Sequence, residues 1–334
     1  MQCMARKRNS TQRKLEPAVQ TMTFQVPSGT STIDLSQCAS LVNRRFYRQG
    51  INWVVSGFRV FKDVATTTGS PGISIGRLPN TWVMGNAWEK AFRHWQDLNK
   101  RALEAGESLP GRFTDFKVFM DATHHTAGSG ANLLPLDFAG NTANPGEWVY
   151  SKIVFPQSST IGGTIEAEFI ATGANFPGAG ASGLDAVSLI EGYANSRALP
   201  SIIDPNTPGD ASDTSAGTPE NWLGAIDNQG TTQVSDVITD LTTDNDKAPY
   251  PFENDGTAID TMYPGGQNQL PSLQWVDGAY FSSGTNSNKL YLKGDNFPCG
   301  LIRVSQNTEQ TLVMQIDLVP GTHRGYLCEP MTEM

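Results

Sequence analysis

The chain has 334 residues, with 24 Lys and Arg against 33 Asp and Glu, so its formal net charge is −9. Its 33 glycines and 20 prolines predict frequent turns and few long helices. No apolar run reaches the roughly 18 residues of a membrane span, and the basic N-terminus lacks the apolar segment of a signal peptide. Four cysteines without a CxxC pair exclude a zinc knuckle or a disulfide scaffold. We expect a soluble protein of a reducing, intracellular compartment, with no membrane partner.

Residues 1–22 form a short basic arm without apolar periodicity. Its five cations are Arg6, Lys7, Arg8, Arg13 and Lys14. We expect this arm to be flexible, and ordered structure to begin near Thr23. A Lys/Arg arm attracts phosphates of any sequence, and this one is dense enough to act as a nuclear import signal. The alternative is a basic tail that serves only solubility.

A second basic cluster follows the arm and includes two aromatic rings. Its candidate nucleic-acid-binding residues are Arg44, Arg45, Phe46, Tyr47 and Arg48. Arginine binds phosphate and an adjacent ring stacks on an unpaired base, so the cluster is typical of single-stranded nucleic acid binding. In the structural alternative both rings pack in the core and the arginines pair with nearby acids.

Apolar alternation predicts many short strands. The first begins at Ile51 and has a bulge or a close backbone approach at Gly57. The predicted strands cover residues 51–60, 73–77, 116–121, 148–155, 164–171, 233–241, 273–281, 289–293, 301–305 and 311–319. The last two are predicted to form a hairpin across residues 306–310.

One helix stands out between the early strands. Asn86 and Glu89 have the spacing of a capping box, and apolar residues recur at helical spacing from Trp88 until Gly106. A weaker segment, residues 184–195, fits a helix or a strand equally well. Many strands with one or two inserted helices predict an all-β fold, a single jelly-roll antiparallel sandwich with long surface loops.

Three sets of residues in the middle of the chain have the types that chemistry uses. His124 and His125 near Asp121 suit a metal, although a turn or a buried hydrogen-bonded pair explains them better. Glu166 and Glu168 share one strand face, as an acid–base pair does, although a solvent face explains them as well.

The third set has the GxGxxG spacing, but Pro177 precedes its first glycine and the surroundings are not βαβ. A plain loop is the better interpretation of residues 178–183. The common hydrolase and nucleotide-binding motifs are absent, so we expect no enzyme and no catalytic residue.

Charge is unevenly distributed between the two parts of the chain. Up to Lys117 there are 17 basic and 8 acidic residues, and after it 7 basic and 25 acidic. Residues 200–266 are rich in Asp, Asn, Thr, Ser, Pro and Gly, which predicts long acidic surface loops. Asp204, Asn206 and Asp210 are candidate ligands of a structural calcium ion, without EF-hand spacing. No other cofactor is expected.

Three segments resemble capsid proteins of circular Rep-encoding single-stranded DNA (CRESS DNA) viruses: residues 78–83 (LPNTWV), residues 86–92 (NAWEKAF) with Trp95, and residues 113–119 (FTDFKVF). The resemblance covers about residues 40–160. It implies a jelly-roll shell domain (residues 23–334), a closed homo-oligomeric shell of about sixty copies and a packaged single-stranded DNA genome. It also implies that the arm lies inside the virion and the variable loops outside, with assembly in the host nucleus or cytoplasm.

The arm is shorter than the arginine-rich arms of such coats. Five charges on each of about sixty copies neutralise only part of a genome of thousands of nucleotides. A small RNA-virus coat therefore stays open. So does a particle protein that binds no nucleic acid. A third alternative is a carbohydrate-binding or glycosidase-type sandwich that uses Trp222, Trp275, Glu166 and Glu168.

Overall fold

The structure is a computed structural model that describes residues 17–62, 72–109, 111, 114–156, 163–197, 214–215, 218–219, 272–281 and 289–334. The strands are β1 (Thr21–Val26), β2 (Gly29–Asp34), β3 (Ile51–Phe61), β4 (Gly72–Arg77), β5 (Lys152–Pro156), β6 (Thr164–Ile170), β7 (Asp185–Ser188), β8 (Thr214–Ser215), β9 (Thr218–Pro219), β10 (Gln274–Tyr280), β11 (Lys289–Lys293), β12 (Asn296–Phe297), β13 (Leu301–Gln306), β14 (Leu312–Leu318), β15 (Pro320–Gly321), β16 (Gly325–Tyr326) and β17 (Cys328–Pro330). The helices are α1 (Leu35–Asn43), α2 (Trp82–Ala105), α3 (Ala122–Ala127) and α4 (Leu189–Arg197).

Two antiparallel sheets form the main body. The first has the strand order β1-β14-β3-β11, with β12 and β17 paired to the first half of β3. The second has the order β10-β4-β13-β2. Both sheets are built from strands at the two ends of the chain, so their pairing is almost entirely non-local. The described part of the chain is mostly antiparallel sheet with few helices, which confirms the expected all-β sandwich.

The two sheets share one apolar core. Burial alternates along β14, as a strand with one face on a core requires. Inward side chains from both sheets meet in this core, among them Phe24, Ile33, Phe58, Ile75, Val304 and Met314. Full burial of each such side chain contributes about 1.5–3 kcal/mol, so the sandwich rests on this layer.

A large insertion connects β4 to β10. Its described residues include α2, α3, the three-stranded sheet β5-β6-β7 and α4. Helix α2 packs its apolar face, with Trp88 and Ala91, against Phe116, Ile153 and Phe169, which makes a second core. The insertion therefore carries its own hydrophobic layer beside the sandwich.

Most predicted strands are confirmed within a residue or two, including the one at 289–293. The close approach at Gly57 is also confirmed, because a Cβ there would lie 3.0 Å from the Leu292 carbonyl oxygen and the β3–β14 register shifts beside it. Three elements differ. Residues 116–121 contribute only a bridge from Phe119 to Ile170, the strand predicted at 148–155 is confined to β5, and the prediction missed β2 and α1.

The predicted C-terminal hairpin is wrong. Strand β13 pairs with β2 and β4, whereas β14 pairs with β1 and β3, so the short connection between them crosses from one sheet to the other. Chain proximity favours a hairpin, but the core between the sheets takes one strand on each side.

The main helix begins one turn earlier than predicted. Thr81 is its N-cap, and the Thr81 hydroxyl accepts a hydrogen bond from the Met84 backbone N–H. Asn86 instead lies inside the helix and donates to the Tyr193 hydroxyl, so the predicted capping box is wrong. Residues 184–195 divide into strand β7 and helix α4, so each of the two interpretations holds for half of the segment.

Candidate nucleic-acid interface

The first described residues of the chain are fastened to one corner of the sandwich. The Val19 N–H donates to Asn43 Oδ1 at 3.0 Å, and the Val19 carbonyl accepts from the Tyr326 hydroxyl at 2.7 Å. Gln20 Nε2 donates to the Gly325 carbonyl at 3.0 Å. The segment that precedes Val19 therefore leaves the body where helix α1 ends and strand β16 begins.

The predicted basic cluster lies at the same corner. Helix α1 ends at Asn43, and Arg44 follows in the left-handed conformation, with φ of 51°. Arg44, Arg45 and Arg48 are all exposed. Because the chain reverses directly after the helix, the three side chains lie beside the residues that anchor the N-terminal segment.

A fourth arginine joins the cluster from the far end of the chain. The Arg324 guanidinium donates to the Phe46 carbonyl, and the Tyr47 hydroxyl donates to the Arg324 carbonyl at 3.0 Å. Arg324 is exposed. We call Arg44, Arg45, Arg48 and Arg324 the basic corner.

The two aromatic residues of the cluster have different environments. Tyr47 is 1% exposed and its ring packs against Trp53 and Tyr326. It therefore cannot stack on a base in this conformation, and the structural interpretation applies to it. Phe46 is half-buried, with Lys117 Nζ 5.7 Å from its ring centroid, so Phe46 alone retains exposed aromatic surface at this corner.

An acidic side chain tempers the charge below the corner. Burial raises the pKa of Asp115, and Lys117 and Arg48 oppose this shift by stabilising the carboxylate. Lys117 Nζ lies 3.4 Å from Asp115 Oδ2 and 4.5 Å from the Trp148 ring centroid. Lys117 is thus largely engaged, whereas the four arginine side chains of the corner face solvent.

The basic arm itself lies outside the described residues. This applies to Arg6, Lys7, Arg8, Arg13 and Lys14, and so to both the nucleic-acid and the nuclear import predictions made for them. The calcium candidates Asp204, Asn206 and Asp210, and Trp222, also lie outside. Within the part of the chain that the structure describes, no three His, Cys, Asp or Glu side chains converge as a metal site.

A buried polar network joins the sandwich to the insertion. Asp34 caps helix α1: its Oδ1 accepts from the backbone N–H groups of Ser36 and Gln37. Its Oδ2 accepts from Gln49 Nε2 and from Trp148 Nε1, each at 3.0 Å. Burial raises the pKa of Asp34 to about 6, although these donated hydrogen bonds oppose the shift. Four donors on one carboxylate hold the two parts of the molecule in a single arrangement.

His124 belongs to the same network and is a buried hydrogen-bonded residue, as the structural interpretation has it. Its Nδ1 accepts from the Met120 N–H at 3.0 Å, which leaves the proton on Nε2. Nε2 lies 2.7 Å from Asn132 Oδ1. The Asn132 amide in turn donates to Gln37 and Tyr150. Burial lowers the pKa of His124 to about 3.

His125 and Glu168 form a second buried pair. His125 Nε2 lies 3.0 Å from Glu168 Oε2, which also accepts from the Ser182 hydroxyl at 2.8 Å. Glu166 is exposed but Glu168 is only 4% exposed, so the solvent-face interpretation is wrong for Glu168. The order Ser–Glu–His leaves no base beside the hydroxyl, so the trio is not arranged as a nucleophilic triad.

The glycine-rich loop owes its glycines to packing. A Cβ on Gly180 would lie 2.5 Å from the His125 ring, and one on Gly178 would lie 2.5 Å from the Phe176 ring. The spacing that resembled a phosphate loop thus reflects two close ring contacts. The loop follows β6 without entering a βαβ unit, as expected.

The comparisons with known proteins bring no relative. No protein-family model matches the chain, and no curated protein and no solved structure matches it significantly. In the described residues, no helix has both the length and the apolar character needed to cross a membrane. The functional argument therefore rests on the fold and on the geometry of the basic corner.

Proposed function

We propose that the chain is a viral capsid protein, a jelly-roll subunit that assembles into a small icosahedral shell and packages a single-stranded DNA genome. The observation that carries the proposal is the pairing of its eight main strands. The basic corner supplies the nucleic-acid part.

The pairing pattern is that of a folded ribbon. In chain order the eight main strands are β1, β2, β3, β4, β10, β11, β13 and β14. The first pairs with the eighth, the second with the seventh, the third with the sixth and the fourth with the fifth. Rolling this ribbon brings the eighth strand onto the third and the seventh onto the fourth, and both pairs are present. Two interlocked Greek keys of this kind make the jelly roll of viral shells, lectins and cupins.

The position of the positive charge favours the shell among these classes. The basic arm enters the body at Val19, next to Arg44 and Arg324, so mobile and fixed cations meet at one corner. Phe46 adds a ring that can stack on an unpaired base. A genome-facing corner needs these groups together, whereas a lectin or a cupin does not.

The genome type follows from the sequence resemblance, and single-stranded RNA is the alternative. The proposed location is the virion, with passage through the host nucleus or cytoplasm during assembly. The partners are about sixty further copies of the chain and the genome.

The test is electron microscopy of the purified full-length protein, combined with the 260/280 nm absorbance ratio of the same fraction. We expect uniform closed particles with raised 260 nm absorbance. Extracted nucleic acid that is degraded by DNase and not by RNase supports DNA, and the reverse supports the RNA alternative. A monodisperse monomer without nucleic acid at all tested salt, pH and calcium concentrations would contradict the proposal.

One observation favours a carbohydrate-binding sandwich as the second candidate. Trp275 and Tyr280 are 67% and 72% exposed on one sheet face, as sugar-stacking rings are. Glu168 is buried elsewhere against His125, so the glycosidase version lacks its acid–base pair beside Trp275. A glycan screen with Trp275→Ala as the control tests the binding version.

A further inference from the structure

A short turn projects a single phenylalanine from the body. Phe138 is 109% exposed, the highest value among the large apolar residues that the structure describes. Free exposure of one large ring has a cost in water, and monomeric proteins rarely keep one at the tip of an ordered turn without a binding role.

The turn around Phe138 is held in one conformation. The Asp137 N–H donates to the Asn141 carbonyl at 2.8 Å, and the Asn141 N–H donates back to Asp137 Oδ1 at 2.8 Å. The Leu136 N–H donates to the Thr23 carbonyl of β1 at 2.7 Å, which fastens the turn to the sandwich. A pre-ordered ring loses little conformational entropy when it binds. We call residues 136–142 the knob.

The same chain has a pocket of matching character. Trp275 and Tyr280 form its walls on the outer face of the second sheet, and Gly72, Ser74, Gly278 and Ser305 lie between them. The cavity measures about 260 Å³. A cavity of about 150 Å³ already holds benzene, so a phenyl ring has room here.

The knob and the pocket lie at opposite edges of the sandwich. The knob is fastened to β1, and the preceding residue Leu133 donates to the Thr32 carbonyl of β2, so this side is the β1–β2 edge. The pocket lies on β10 and β4, at the other end of the sheet order β10-β4-β13-β2. A knob on one side and a pocket on the other allow copies to join head to tail, with both features used once in each copy.

We propose that Phe138 of one copy inserts into the Trp275–Tyr280 pocket of a second copy. The contact is heterologous, so a chain of such contacts closes into a ring when the rotation between copies allows it. The inference rests on the proposed self-assembly and names the residues that make one of its contacts.

Complementation tests the contact directly. Phe138→Ala removes the knob but keeps the pocket, and Ser74→Phe fills the pocket but keeps the knob. We expect each variant alone to associate at least about 30-fold more weakly than wild type, the loss typical of a central interface residue. A mixture of the two has one intact contact and should form a 1:1 dimer in analytical ultracentrifugation. Leu109→Ala, which removes another exposed apolar side chain, should associate like wild type.

The outcomes separate this contact from the proposed function. If both variants form the same nucleic-acid-filled particles as wild type, the contact is wrong and the capsid proposal stands. If wild type is monomeric in every condition, both are wrong. If Trp275→Ala abolishes binding to a glycan while Phe138→Ala assembles normally, the pocket is a sugar site. Circular dichroism and melting temperature identify any variant that fails to fold, and Phe138→Ser then replaces Phe138→Ala and Ser74→Tyr replaces Ser74→Phe.

Discussion

Both ring nitrogens of His124 are committed in the neutral state. Nδ1 accepts from a backbone N–H, so a second proton there would face the Met120 donor inside a buried site. Burial is the main cause of the low pKa of about 3, and Arg303 and His125 add to it by repulsion. The histidine is therefore an acid-sensitive point in the junction between the sandwich and the insertion.

We expect His124 to make the protein less stable in acid. The unfolded side chain takes up a proton below its ordinary pKa of 6.5, whereas the folded one does so only near 3. The stability is therefore present above pH 6.5 and is lost as the pH falls, by about 2 kcal/mol between pH 6.5 and 5. Urea unfolding at both pH values, compared between wild type and His124→Gln, measures this contribution.

The comparison between variants is needed because Asp34 acts in the opposite direction. Its folded pKa is raised to about 6 from 3.8, so its contribution to stability declines as the pH rises through that interval. His94→Gln, on the partly exposed side of α2, should keep the wild-type pH profile. A His124→Gln profile that is parallel to wild type would contradict the assignment.

Gly180 is predicted to be intolerant of any side chain. A Cβ would lie 2.5 Å from the His125 ring, and that ring is fully buried between Phe119, Phe176 and Glu168, so it cannot move freely. Gly180→Ala should lower the free energy of unfolding by about 1–3 kcal/mol through overpacking. Gly130→Ala, where no atom lies within 4 Å, should change it little. Chemical denaturation of both variants gives the comparison, and equal stabilities would refute the packing explanation of the loop.

At the scale of elements, helix α2 carries the second core. Trp88 is 4% exposed and stacks on Phe92 with ring centroids 4.8 Å apart, whereas Trp95 is only partly buried and packs at the edge against Phe116. We expect Trp88→Ala to cost about 3–5 kcal/mol and Trp95→Ala distinctly less. The Trp95 value is lower than its helical spacing alone predicts. Thermal unfolding of the two variants decides the order, and a larger loss at Trp95 would mean that the helix packs through a different face.

At the scale of the whole molecule, the basic corner should set how strongly single-stranded nucleic acid binds. Arg44→Gln combined with Arg45→Gln removes two phosphate contacts, so the slope of log K against log salt should fall by about 1.4. Arg324→Gln should remove about 0.7 more. The matched control is Arg93→Gln with Arg101→Gln, two exposed arginines on α2. Fluorescence anisotropy with a single-stranded oligonucleotide measures all three slopes. Equal losses for the corner and the control would indicate unspecific attraction to net charge.

The sequence by itself determined the features that depend on neighbouring residues. Alternation placed β3, β10, β11 and β14 almost to the residue, because a period of two reports a half-buried strand wherever its partner lies. Helical spacing located α2 for the same reason. The exposure of Arg44, Arg45 and Arg48 followed from their position after a short helix.

Only the tertiary structure decided which surfaces meet. The crossing of β13 and β14 into different sheets depends on pairing with strands almost three hundred residues away. The same non-local pairing brings Arg324 to the basic corner, buries Tyr47 and Glu168, and separates the knob from the pocket by the full width of a sheet. Local patterns record whether a residue is buried, whereas the identity of its partner is settled by packing free energy summed over the whole chain.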